Sequence, residues 1–172
     1  MIPAIEDRLS SMERALQEAI LPALPADQSL AIEQAHLLLA QIGLLREQID
    51  FAPDFERQEH AGLAALGSTL AGSAEGGPRT RVAADKLSTL LGENAASRPA
   101  DLRARIVAIS RAIEDLVEAS GLDGSEAFVA QSADAIIAHT AVATRRDRAW
   151  FRSTGFERGE VKLPSIREVL NV

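Results

Sequence analysis

The sequence predicts an all-α protein: an up-and-down helical bundle of about five to six helices with an extended C-terminal arm ending in a short helix. Three observations carry that expectation. The 172 residues are 47% hydrophobic but only 3% aromatic, an Ala- and Leu-rich balance that suits helix-on-helix cores better than packed sheets. Apolar residues recur at three- and four-residue steps through most of the chain, the period of a helix with one buried face. Proline and glycine gather between the periodic stretches, where helices stop.

The first helix is expected over about residues 3–20, where Ile5, Leu9, Met12, Leu16 and Ile20 share a face, with Pro22 and Pro25 of LPALP ending it. The strongest pattern runs from about Asp27 to Phe51. There Ala31, Ala35, Leu38, Ile42, Leu45 and Ile49 keep a seven-residue rhythm, and Leu30, Leu37, Leu44 and Phe51 add a second stripe. A helix apolar over so wide an arc should be central in the bundle or lie at a subunit interface.

After the hairpin FAPDF, a third helix should reach about Ala71 with Phe55, Leu63, Leu66 and Leu70 on one face. AGSAEGGPRT reads as a mobile loop. A shorter helix over about 80–92 is expected to end in a left-handed cap at Gly92. Leu102, Ile106, Ile109, Ile113 and Leu116 then mark a helix over 100–120 that stops at Gly121. The last long helix, about 124–152, should turn Val129, Ala133, Ile136, Thr140 and Ala143 inward, small residues that permit close packing.

The arm, residues 153–172, carries Phe156, Val161, Leu163, Ile166, Val169 and Leu170, too much apolar area to leave in water. It should pack on the bundle formed by residues 1–152 or on a partner subunit, within one domain overall. Ser165 followed by Glu168 is a capping-box pattern that starts a short terminal helix.

Composition narrows the function. With no cysteine there is no disulfide framework, thiolate metal site or cysteine nucleophile. The N-terminus is charged early, and no window approaches 18 uninterrupted apolar residues, so a cytoplasmic protein with no membrane partner is expected. The net charge of −7 argues against nucleic-acid binding, which needs a basic surface. The balance is uneven: residues 145–172 hold seven basic and four acidic residues, leaving −10 on residues 1–144. A basic C-terminal segment could therefore dock on an acidic body, its own or that of a second subunit.

Chemistry-bearing residues are few. His36, His60 and His139 fall on three different expected helices. His36 projects opposite the apolar stripe, toward solvent. EQAH, residues 33–36, matches one Glu-x-x-His element of di-iron bundles, but no second copy exists. Glu59 projects into the stripe between Phe55 and Leu63, where a carboxylate needs a partner. Arg46 lies about as far before the hairpin as Glu59 lies after it, so an Arg46–Glu59 ion pair fixing helix register is expected. Should the interior instead hold an acyl or aromatic molecule or a metal, Glu59, His60, His139 and Arg46 are the candidate lining. RRDRAWFR offers Arg145, Arg146, Arg148, Trp150 and Arg152 as an anion or partner contact, against the plainer reading of a solvated helix end. No phosphate loop or nucleophile elbow is present, and neither catalytic residues nor a cofactor are expected.

The stretch LQEAILPALPADQSLAIEQAHLLLAQIGLLREQI, two apolar helices joined by a proline-rich turn, resembles small uncharacterised bacterial all-α proteins encoded near acyl-CoA dehydrogenases and aminoglycoside-phosphotransferase-like kinases. The likeness covers roughly residues 10–70. It implies an accessory role in acyl or aromatic-compound metabolism. The residues themselves point to a non-enzymatic, homo-oligomeric interaction or accessory protein, most simply a homodimer, since the double stripe of residues 30–51 and the apolar arm both want a surface to cover.

Overall fold

A computed structural model describes residues 4–93, 98–154 and 162–172. Among the described residues the chain is all-α, 85% helical with seven helices and no strand, as the periodicity predicts. The helices are α1 (Ile5–Ala15, running on to Ala23), α2 (Ser29–Gln48), α3 (Ala52–Ser73), α4 (Pro78–Gly92), α5 (Pro99–Asp123), α6 (Glu126–Trp150) and α7 (Ile166–Leu170). No helix among the described residues is long and apolar enough to cross a membrane. Two compact units result, one of Met1–Ala52 with Arg148–Glu168, the other of Pro53–Asp147 with Val169–Val172.

In the first unit, Pro22 does not end α1 as expected. The backbone widens into a π-turn over Leu16–Ile20, with the Leu21 amide bonded to the Leu16 carbonyl, and continues through Leu21–Ala23. A proline ring collides with the carbonyl four residues before it, and a wider turn relieves that collision. The stop comes at Leu24, whose extended backbone is the conformation a following proline enforces. Across from α1, α2 buries only Ala35 and Leu44. Leu30, Leu37, Leu38 and Leu45 stand 68%, 51%, 55% and 49% exposed, so within this chain α2 is not the central helix its two stripes suggest.

The second unit holds the core. Leu66 and Leu70 of α3, Ala84 and Leu87 of α4, Ile109, Ile113 and Leu116 of α5, and Phe128 of α6 form one buried cluster. Each such large side chain contributes about 1.5–3 kcal/mol by leaving water. The α5 stripe is the one the sequence predicts. On α6 Ile136 packs against the core and Ala143 is half-buried, as expected, but other inward positions shift by one: Phe128 and Ser132 are buried whereas Val129, Ala133 and Thr140 are exposed. Phe128 has the larger apolar area to hide, and a one-residue shift turns a helix by about 100°.

Two expected helix ends also move. Gly92 lies within α4, which closes on an extended Glu93, and Gly121 lies within α5, which runs on to Asp123. Nor is the segment between α3 and α4 a mobile loop. Gly76 bridges Gly124, the Gly77 amide bonds to the Asp123 carbonyl at 2.7 Å and the Ser125 amide to the Glu75 carbonyl at 2.9 Å. A β-carbon on Gly76 would lie 2.6 Å from the Gly124 α-carbon, and one on Gly124 would lie 2.5 Å from the Ser120 carbonyl oxygen of its own helix. The two segments meet because Gly76 lacks one, and Gly124 can leave its helix so tightly for the same reason.

In the arm, the Ser165 amide and hydroxyl both donate to Glu168 Oε2, and the Glu168 amide donates to Ser165 Oγ at 3.2 Å. This is the capping box the sequence predicts. Gln58 Nε2 donates to the Val169 carbonyl and Leu170 is buried, so the last turn packs on its own chain. Phe156 and Val161 of the arm, and residues 94–97 of the segment before α5, lie outside the described residues.

Candidate functional site

The candidate residues sort by the two faces of α3. Positions 55, 59 and 62 share one side of a helix, whereas 56, 60 and 63 lie roughly a quarter-turn away. The first side meets α6. The Arg146 guanidinium sits 4.4 Å over the Phe55 ring, donates from Nε and Nη2 to Asp147 Oδ1 at 2.9 and 2.8 Å, and reaches Glu59 Oε1 at 3.9 Å. Arg146 is only 8% exposed. A buried cation is tolerated when paired, and the flat, weakly hydrated guanidinium is the cation that stacks on an aromatic face. One helical turn further along the same side, His139 is half-buried, its Cε1 3.3 Å from where a β-carbon on Gly62 would stand.

The other side of α3 meets α5. Arg103 donates to Glu56 at 2.7 Å. Half-buried His60 faces Arg105, and burial first, then that positive charge, holds its imidazole pKa below the ordinary 6.5. Arg105 itself caps α4, its Nη2 donating to the Leu90 and Glu93 carbonyls at 2.8 and 2.9 Å. It satisfies the carbonyls that every helix C-terminus leaves over. His60 Nε2 and Arg105 Nε are buried without a hydrogen bond.

Of Glu59, His60, His139 and Arg46, the first three belong to the second unit and Arg46 to the first. His60 and His139 belong to different sides of α3, His60 toward Arg105 and His139 against Gly62. Arg46 takes its partners within the first unit: its Nε donates to Glu6 at 2.7 Å and its Nη1 to Glu13 at 2.5 Å. Glu6 and Glu13 are seven residues apart on one side of α1, and their hydrogen bonds, Glu6 first, hold the guanidinium charged more firmly than usual. The expected Arg46–Glu59 pair is thus replaced by Arg46 with Glu6 and Glu13, and by Glu59 with Arg146. Equal distance from a hairpin sets a level along two helices but not the face on which each side chain stands. Among the described residues, no group of three or more histidines and carboxylates is placed to hold a metal.

His36 is exposed, as its projection predicts. Of the arginine-rich stretch, Arg145, Arg148 and Arg152 are exposed. Trp150 is half-buried, and its carbonyl accepts from Gln48 Nε2 at 2.8 Å. Arg146 departs from the solvated-helix-end reading because Phe55 and Glu59 cover it.

Sequence reasoning missed a second polar centre. Asp123, at the end of α5, takes the Arg79 amide at 2.8 Å, the Thr80 amide at 3.0 Å and the Thr80 hydroxyl at 2.6 Å. The Thr80 hydroxyl, then the two amides and the Arg79 charge, hold the carboxyl below its usual range. A residue 43 positions downstream of Thr80 thus supplies the cap for α4. The legible signal was GGP before one helix and DG after another, two close-approach sites with an acid beside them. Neither a family model nor a characterised protein nor a solved structure matches the chain.

Proposed function

We propose that the chain is a non-enzymatic helical-bundle protein that works as a homo-oligomer, most simply a homodimer, in an interaction or accessory role. One observation carries this reading: Leu30, Leu37, Leu38 and Leu45 of α2 are about half exposed or more, and Gln34 and Gln41 between them are uncharged. A charge-free leucine face is the composition of an interface centre, where charged residues are depleted and apolar area is buried on association. The polar clusters around Arg146, His60 and Asp123 are spent on joining helices, which agrees with a protein that binds rather than catalyses. The resemblance of residues 10–70 adds the setting, acyl or aromatic-compound metabolism, in the bacterial cytoplasm.

Native mass spectrometry of the full chain tests the reading. The expected mass is a whole multiple of 18.4 kDa above one, falling when Leu37→Glu and Leu38→Glu together place charge on the α2 face. A single-chain mass at micromolar concentration, or a mass indifferent to the pair of substitutions, would overturn it.

A further inference from the structure

A groove of about 520 Å³ runs along α4 and α5. The two helices are antiparallel, since Thr80 at the start of α4 meets Asp123 at the end of α5 and the end of α4 is capped by Arg105. Small residues, Ala84 and Ser120 among them, let the helices approach closely. The floor of the groove is apolar: Ala83, Ala112 and Ala119, with Val82 53% and Leu122 64% exposed. Its two banks carry opposite charge. Arg79 and Lys86, seven residues apart on α4, form one, and Asp115 and Glu118 on α5 form the other. Lys86, Asp115 and Glu118 make no ion pair among the described residues.

We propose that this face pairs with the same face of a second copy, around a twofold axis parallel to the helices, forming a four-helix layer in which every neighbour is antiparallel. The charges select the occupant and the axis. A twofold axis parallel to the helices lays α4 of each chain across α5 of the other, so each basic bank meets an acidic one. An axis perpendicular to them would lay α4 on α4 and put like charges together, which is destabilising. A nucleic acid or anionic membrane would meet the acidic bank, and an acidic peptide would meet it too, whereas a second copy complements both banks at once.

The surface is also shaped for helices. A second groove of about 390 Å³ shares Val82 and Lys86 with the first, so these residues form a ridge with a furrow on each side, the relief that packs ridges into grooves. Two adjacent helices of this length offer roughly 700 Å² on one side, close to the ~800 Å² per partner of a stable interface.

The face is independent of the α2 leucines, and the experiment separates the two. With both faces paired the unaltered chain assembles beyond a dimer; in a full chain carrying Leu37→Glu and Leu38→Glu only the groove pairs, and the mass in native mass spectrometry falls to two chains. Adding Lys86→Glu to that background sets acid against acid and raises the dissociation constant tenfold or more, as does adding Glu118→Lys. Mixing the two variants, one isotope-labelled, restores a mixed dimer, because each altered bank meets its complement on the other chain. An ion pair within one chain could not be rescued by mixing. A single-chain mass in the Leu37→Glu, Leu38→Glu background would overturn the proposal, as would failure of the mixture to recover. The groove would then belong to a helix of another protein.

Discussion

Residues 53–147 and residues 1–52 are both built from apolar helices of similar length, yet only the first stretch closes a core. Eight side chains from four helices meet there, with Leu87, Ile109 and Leu116 fully buried. In residues 1–52, α2 has more leucine than any helix of the core and buries one. The difference is one of company. A helix hides an apolar stripe only against another element, and the wide stripe of α2 extends beyond the strip that α1 and its neighbours can cover. Periodicity therefore reports that a face needs burial without reporting who supplies the cover.

The largest expected effect tests this contrast directly. Phe128→Ala removes a side chain that is 2% exposed and leaves a cavity in the buried cluster to which Leu70, Leu87 and Ile109 also belong. Urea denaturation should show a loss of about 3–5 kcal/mol. Leu38→Ala should cost less than about 0.5 kcal/mol in dilute solution, as exposed positions do, and more as concentration rises and α2 becomes an interface. An equal, concentration-independent loss for both would break the comparison, because it would mean that α2 already has its cover within one chain.

Gly76→Ala comes next. A β-carbon there would stand 2.6 Å from the Gly124 α-carbon and 2.7 Å from the Asp123 carbonyl oxygen, both backbone atoms that cannot step aside. The chain must move, and with it the Asp123 cap on α4. A cost of about 1–3 kcal/mol is expected, the range for forced overpacking, read as a fall in melting temperature. The neighbouring Gly72, with open space around its missing β-carbon, should accept alanine with no loss.

What the sequence made legible follows the range of the interactions. The α5 face and the Ser165–Glu168 capping box depend on residues three to seven apart, and both appear as read. On α6 Ile136 packs on the core as read, whereas Val129, Ala133 and Thr140 were misplaced, because small residues define a direction poorly and one phenylalanine decided it. Arg46 and Glu59 were rightly marked as charges needing partners. Their partners, Glu6, Glu13 and Arg146, lie 33 to 87 residues away in sequence, where spacing has no bearing. Asp123 was missed for the same reason: DG at the end of its helix marks a close approach but not which helix, 43 residues upstream at Thr80, the acid caps.

His60 gives the smallest effect and the sharpest test of the core unit's packing. Burial and the facing Arg105 resist its protonation in the folded chain, so the folded pKa lies below 6.5. The unfolded chain takes up the proton at the ordinary value. Between the two pKa values the unfolded state binds more protons, and stability must fall as pH falls. Above about pH 7.5 both states are neutral and the stability is complete. Urea midpoints should therefore drop between pH 7.5 and 5.5, and a His60→Leu variant should lose that part of the slope. Parallel slopes in the two proteins would show that His60 accepts its proton in the native fold, and that the side of α3 facing Arg105 is open to water.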